Sequence, residues 1–123
     1  MTRLHINFGP SPWRRDRSLE GQPPSDEELA ILREMNDGAI IVYPSEALFY
    51  EQAFDGSTRS KPFLARRDME LGRYTDRTDI EWDVFGSMVS KGLIAESKSR
   101  HEDEWDTTLR GFNFAFEDEK GEQ

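Results

Sequence analysis

Thr78-Asp79-Ile80-Glu81-Trp82-Asp83-Val84-Phe85-Gly86-Ser87-Met88-Val89-Ser90-Lys91-Gly92-Leu93-Ile94 is the stretch on which the fold turns. Thr78 with Glu81 three residues on has the spacing of a capping box, in which each side chain satisfies a free backbone amide at a helix start. Ile80, Val84, Phe85, Met88 and Val89 recur at helical spacing and form one apolar stripe. Gly86 within that stripe weakens the helix by about 1 kcal/mol relative to Ala. Lys91 falls in the last turn and Gly92 is the stop signal. Leu93 and Ile94 then return to the core and open a strand over 94–97. The pattern predicts a helix from Thr78 to Lys91.

Upstream, a second capped helix starts at Ser25, where Ser25-Asp26-Glu27-Glu28 is again a capping box. Asp26 and Glu27 suit the positive end of a helix dipole. Leu29, Ile31, Leu32 and Met35 supply its apolar side, and Gly38 is the natural left-handed residue past its end. Ile40-Ile41-Val42-Tyr43 is β-branched and aromatic, and with Ala47 to Phe54 across Pro44-Ser45-Glu46 it reads as a β-hairpin. From Pro62 to Tyr74 the pattern is ambiguous. Phe63, Leu64, Met69 and Leu71 fit a helix with Pro62 near its first turn, while Gly72 weakens that reading.

Downstream, Lys98 to Asp106 reads as a charged turn. Leu109 to Phe116 reads as a strand, with Phe112, Phe114 and Phe116 alternating against Asn113 and Ala115. Residues 117–123 form an acidic tail expected to be disordered. At the other end, Leu4, Ile6 and Phe8 alternate as a short strand. Residues 9–24, broken by Gly9-Pro10-Ser11-Pro12 and Gly21-Gln22-Pro23-Pro24, read as a flexible arm or linker. The expected organisation is an arm at 1–24, an α+β domain at 25–116 and a tail at 117–123.

Composition narrows the function classes. The chain has 123 residues, enough for one domain, and a formal net charge of -9. That charge is uneven: +2 over residues 1–24, -4 over 25–77 and -7 over 78–123. A nucleic-acid binder needs cations to displace counterions from phosphates, so the last third carries the wrong sign. An acidic face attracts basic protein surfaces instead. With no cysteine, disulfides, thiolate zinc sites and cysteine nucleophiles are excluded together, and a reducing cytosol is the expected compartment. No run of about 20 apolar residues is present to span a bilayer.

The residues that carry chemistry elsewhere form no pattern here. His5 and His101 lie far apart in sequence, so His101-Glu102-Asp103 reads as a solvated turn and no metal is expected. There is neither a Gly-x-Ser-x-Gly elbow nor a phosphate-binding glycine loop. Carboxylate pairs such as Asp79 and Asp83 arise by chance among 25 acidic residues. The chain reads as a protein that is not an enzyme and needs no cofactor. Trp82, between Glu81 and Asp83, and Trp105, between Glu104 and Asp106, have the composition of aromatic anchors ringed by carboxylates.

The capped helix, its Val89-Ser90-Lys91-Gly92-Leu93-Ile94 exit, Glu70-Leu71-Gly72 before it and the hairpin around Arg100 to Trp105 together resemble a winged helix-turn-helix domain. The resemblance implies a helix pair followed by a two-stranded wing, with the helix from Ser25 as the first helix and the hairpin at 40–54 as an enlarged first strand. In that family the second helix of the pair reads DNA in the major groove. Here it would present Asp79, Glu81 and Asp83, and the wing would present Glu102, Asp103, Glu104 and Asp106. The expected function is therefore binding of a basic protein surface through Glu81, Trp82, Asp83, Glu102, Asp103, Glu104 and Trp105. Occluding a surface of a nucleic-acid-binding complex in this way is the behaviour of an inhibitor or adaptor. In size and charge the chain is similar to phage-encoded anti-CRISPR proteins. The alternative is a winged-helix transcription regulator that binds DNA through Arg14, Arg15, Arg17, Arg66, Arg67, Arg73 and Arg77.

Overall fold

A computed structural model describes residues 13–44, 61–68, 70, 72–97 and 104–121, with only the backbone described at 73 and 118–121. The capping box at Ser25 forms as read. The Glu28 amide donates to Ser25 Oγ at 3.2 Å and the Ser25 amide to Glu28 Oε1 at 2.8 Å. Helix α1 runs over Asp26–Asn36 and ends through Gly38, whose φ of 108° a side chain would resist. Chain order then gives β1 (Ile40–Val42), β2 (Phe63–Asp68), β3 (Arg73–Asp79), α2 (Trp82–Ser90), β4 (Ile94–Glu96), β5 (Glu104–Thr107) and α3 (Leu109–Gly121), after a 3-10 turn at Arg17–Leu19.

The strands form one antiparallel sheet in the order β3-β2-β1-β5-β4. Both edges of β1 are occupied: Ile41 stands opposite Leu64 of β2 and opposite Trp105 of β5. The hairpin expected over 40–54 is corrected accordingly, since its first strand pairs with 63–68 and 104–107; residues 47–54 lie outside the described residues, as does the strand read at Leu4 to Phe8. The hairpin that the structure shows joins β2 to β3, with the Gly72 amide donating to Asp68 O at 2.9 Å.

One sheet face carries the main core. Ile41, Ile94 and Trp105 pack against Leu32 and Met35 of α1, Phe85, Met88 and Val89 of α2, and Ala115 of α3. The opposite face holds a smaller buried cluster of Val42, Phe63 and Ala65. Opposite Val42 on that face lies Glu104, which is 1% exposed. Its carboxylate accepts two bonds from the Arg67 guanidinium and one from the Tyr74 hydroxyl at 2.7 Å, the multiple pairing that a buried charge requires.

Four sequence expectations give way to tertiary pairing. The helix considered for 62–74 is β2 and β3, because Phe63 and Ala65 face one side and Leu64 and Arg66 the other, the period of a strand. Thr78 is no helix cap: Thr78 and Asp79 extend β3, opposite Leu64 and Phe63, and α2 starts only at Trp82. The charged turn at 98–106 is strand from Glu104 onward, while 98–103 lie outside the described residues. The strand read at 109–116 is α3. Its cap is Thr108, whose hydroxyl accepts the Gly111 amide at 3.1 Å and whose carbonyl accepts the Phe112 amide at 2.9 Å. Helical geometry buries Ala115 and stacks Phe112 on Phe116 along the exposed side. The helix runs on through 117–121, so the first part of the expected tail is ordered.

Residues 13–24 are held on the domain and form no free arm. Trp13 packs edge-on against Phe85, with ring centroids 5.4 Å apart. The Asp16 amide donates to Ser90 Oγ at 2.8 Å, and Arg110 donates to Gly21 O and Gln22 O. Gly86 now has its reason within α2, because a Cβ there would meet Trp13 Cβ at 3.1 Å.

Between α1 and the end of α2 lies a buried ion pair. Lys91 Nζ donates to Glu28 Oε1 at 2.6 Å, and the side chains are 10% and 3% exposed. Burial pushes the Glu28 carboxyl up, but the Lys91 ammonium, the Ser25 amide and the Ser87 hydroxyl together hold it below its ordinary value of 4.5. A carboxyl depressed by folding stabilises the fold above its unfolded pKa and loses that contribution as pH falls through its folded value. Unfolding free energy followed by denaturant titration should therefore decline below about pH 4.5, and Glu28→Gln should flatten that decline.

Candidate functional site

The acidic surface expected from the sequence is rearranged by the fold. Glu104 and Trp105 point inward, one in its ion-paired network and the other in the main core, so neither stands on the acidic surface expected from the sequence. The reason is β5, an inner strand of the sheet between β1 and β4, where a solvated turn was expected. Trp82 is half-buried and sits edge-on to Tyr43 and Phe85. Glu81 and Asp83 are exposed, as expected. Lys61 Nζ lies 2.9 Å from Glu81, and the carboxylate raises the ammonium above its ordinary pKa. Glu102 and Asp103 lie outside the described residues.

The arginines of the DNA-binding alternative do not share a face. Arg66 reaches back over the C-terminus of α1, donating to Asp37 O at 2.8 Å and pairing with Glu34 and Asp37. Arg67, next along β2, points to the other face and binds Glu104. Arg77 lies over the Phe63 ring at 5.3 Å and donates to Tyr74 O. Arg14, Arg15 and Arg17 are exposed on the segment before α1, while for Arg73 only the β3 backbone is described.

A cleft that the sequence did not reveal opens between α1 and the β2-β3 hairpin. Its volume is about 560 Å³. Among the described residues that line it, Ala30, Ile31, Ala39, Leu64 and Ile80 make an apolar floor, and Glu27, Glu34, Asp76 and Asp79 supply four carboxylates against the one cation of Arg66. The local field is negative, and low-dielectric walls strengthen it. Asp76 joins this wall through an irregularity in β3. The register shifts between Leu64 and Arg66, and Asp76 takes a φ of 55°, which Asp tolerates better than most residues. No protein-family model, curated protein or solved structure matches this chain. What the cleft can do is therefore read from its own chemistry. Among the described residues no group of three His, Asp or Glu is placed to hold a metal ion, and no helix is long and apolar enough to cross a membrane.

Acidic residues such as Glu27, Glu34 and Asp76 were legible as charge but not as a site. Only strands β2 and β3 bring Asp76 and Asp79 across from α1, whereas the sequence pattern is ambiguous over 62–74 and places Asp79 in the helix from Thr78. The signal that could have found them is the period-two pattern of Phe63 to Arg66.

Proposed function

We propose that this protein is a non-enzymatic binding protein whose acidic cleft receives a basic, partly apolar segment of a partner protein. The observation that carries the reading is the combination in one cleft, among the described residues, of an apolar floor with four carboxylates and one arginine. Such a surface supplies burial for aliphatic stems and complementary charge for the ammonium or guanidinium groups at their ends. Exposed Glu81 and Asp83, which follow Asp79 in sequence, extend the negative charge toward α2. Occupying a basic surface that would otherwise hold nucleic acid is the action of an inhibitor or adaptor of the anti-CRISPR kind.

The winged-helix resemblance enters this proposal as a scaffold. In its favour, α2 leads through Lys91 and Gly92 into the antiparallel pair β4-β5, and β1 lies beside β5. Strands β2 and β3 stand where the first helix of the pair would be, and they form one wall of the cleft.

The test is a titration of the full chain with a fluorescent Lys- and Leu-containing amphipathic peptide at low and near-physiological salt, beside a mixed-sequence DNA duplex. Peptide binding that weakens with salt is expected. It should fall about tenfold, or about 1.4 kcal/mol, in the Glu27→Gln/Asp76→Asn/Asp79→Asn variant, where Asn keeps the left-handed backbone at 76 accessible. Duplex binding stronger than peptide binding would overturn the reading in favour of a DNA-binding regulator.

A further inference from the structure

A second recess, sharing no residue with the acidic cleft, is lined by Trp13, Tyr43, Trp105 and Glu96, with a volume of about 240 Å³. Among the described residues that line it, three are aromatic and come from three separated parts of the chain. Trp13 and Trp105 stand at 89° with centroids 6.3 Å apart, and Tyr43 lies at 28° to Trp105, also at 6.3 Å. Trp13 Nε1 donates to the Tyr43 hydroxyl at 3.3 Å, which ties two walls together. Behind them Phe85, fully buried, packs on all three rings at 5.0 to 5.6 Å. The rings are thus fixed before any ligand arrives. Glu96 also lines the recess: it is exposed on β4, directly opposite Trp105 in the sheet register.

From this arrangement we infer a binding site for a quaternary alkylammonium group, specifically the head of a trimethylated lysine side chain of a protein partner. Ring faces carry negative electrostatic potential and attract a cation held within about 6 Å of their centroids. A carboxylate on the same recess adds a full charge of the right sign. The walls offer little to a compact, strongly hydrated ammonium, which keeps three N–H donors to satisfy. A methylated ammonium has no such donors, and its methyl groups gain from ring contact. The recess is smaller than the roughly 300–1,000 Å³ of pockets for drug-sized ligands, so it suits a head group. A phosphocholine head would bring its phosphate to a protein of net charge -9, which favours the lysine side chain as the source.

The inference does not rest on the acidic cleft, and its test uses different ligands and a different variant. The intact protein is titrated with N-acetyl-trimethyllysine amide while tryptophan fluorescence is followed. Parallel titrations use unmodified N-acetyl-lysine amide, the uncharged carbon analogue with a tert-butyl head, and phosphocholine. Saturable binding of the trimethyllysine derivative is expected, about tenfold tighter than the tert-butyl analogue and tighter than lysine or phosphocholine. Glu96→Gln should weaken it several-fold without shifting thermal unfolding, because the side chain is exposed. Trp13→Leu should abolish it, with circular dichroism as the check on folding; if that variant unfolds, the comparison of charged and uncharged heads and Glu96→Gln still decide. Equal binding of the tert-butyl analogue, equal binding of unmodified lysine, or no saturable response would overturn the cation site. Tighter binding of phosphocholine would overturn the assignment to a lysine side chain.

Discussion

Replacing Lys91 by Met is expected to cost about 3–5 kcal/mol, the range seen when one partner of a buried ion pair is removed and the other is left behind. Glu28 would keep its place inside the structure, 2% exposed and bonded to the Ser25 amide, without the ammonium that neutralises it. The loss is larger than for a surface pair because water cannot replace the missing cation. Lys61 with Glu81, both exposed, is the internal comparison, and its removal should change stability far less. Urea denaturation of the two variants measures the contrast. The double variant Glu28→Leu/Lys91→Met should recover much of the loss, since an apolar replacement leaves no buried charge unpaired. It gives up the bond to the Ser25 amide, so recovery will be incomplete. A single Lys91→Met variant within 1 kcal/mol of the parent would mean that the pair is solvated in solution.

The reach of sequence reasoning follows the range of the forces involved. Ser25 and Glu28, three residues apart, satisfy each other's backbone amides, so that capping box was legible and forms. Lys91-Gly92-Leu93-Ile94 was legible for the same reason: Lys91 closes α2, Gly92 takes a φ of 75°, and Leu93 and Ile94 are buried. Thr78 with Glu81 has the same spacing as Ser25 with Glu28, yet no box forms there. The backbone of 78–79 is committed to a ladder with 63–64, and the Ile80 amide donates to Pro62 O at 2.8 Å. Those bonds span more than a dozen residues, and no local pattern announces them.

The same limit explains the shift in the candidate site. Glu104 and Trp105 lie among charged neighbours, which locally signals a solvated turn. They are buried because β5 is an inner strand, and Glu104 is tolerated there because Arg67, 37 residues away, folds over it. The acidic character of the chain was visible from composition, whereas the cleft needs α1 and β3 brought face to face. Trp13, placed by its Pro- and Arg-rich surroundings in a linker, forms a wall of the aromatic recess. Its only local clue is Gly86 in α2, a helix interior glycine that makes sense once a large side chain lies against it.

Gly111 poses the opposite problem, because helix propensity alone gives the wrong sign for its substitution. In an ordinary helix interior Gly→Ala gains roughly 0.5–1 kcal/mol. Gly111→Ala is instead expected to cost about 1–3 kcal/mol or more, as overpacking does. A Cβ at this position would overlap the Leu93 carbonyl oxygen, approach the Leu93 carbonyl carbon to 3.1 Å and meet Leu32 Cδ2 at 3.2 Å. The first obstacle is backbone, and it is fixed from several sides. The Leu93 carbonyl accepts the Thr108 amide at 3.0 Å, the Leu93 amide donates to Met88 O at 2.9 Å, and the Thr108 hydroxyl donates to Gly92 O at 2.6 Å. Relief must come from moving the start of α3, which would strain the Arg110 bonds to Lys91 O, Gly21 O and Gln22 O. Asn113→Ala, on the exposed side of the same helix, is the control and should be neutral or slightly stabilising. Thermal and urea unfolding of the two variants then separate packing from propensity. Loss of stability in Gly111→Ala alone places α3 directly on the Leu93 backbone, while a gain in both would mean that α3 stands off from the sheet.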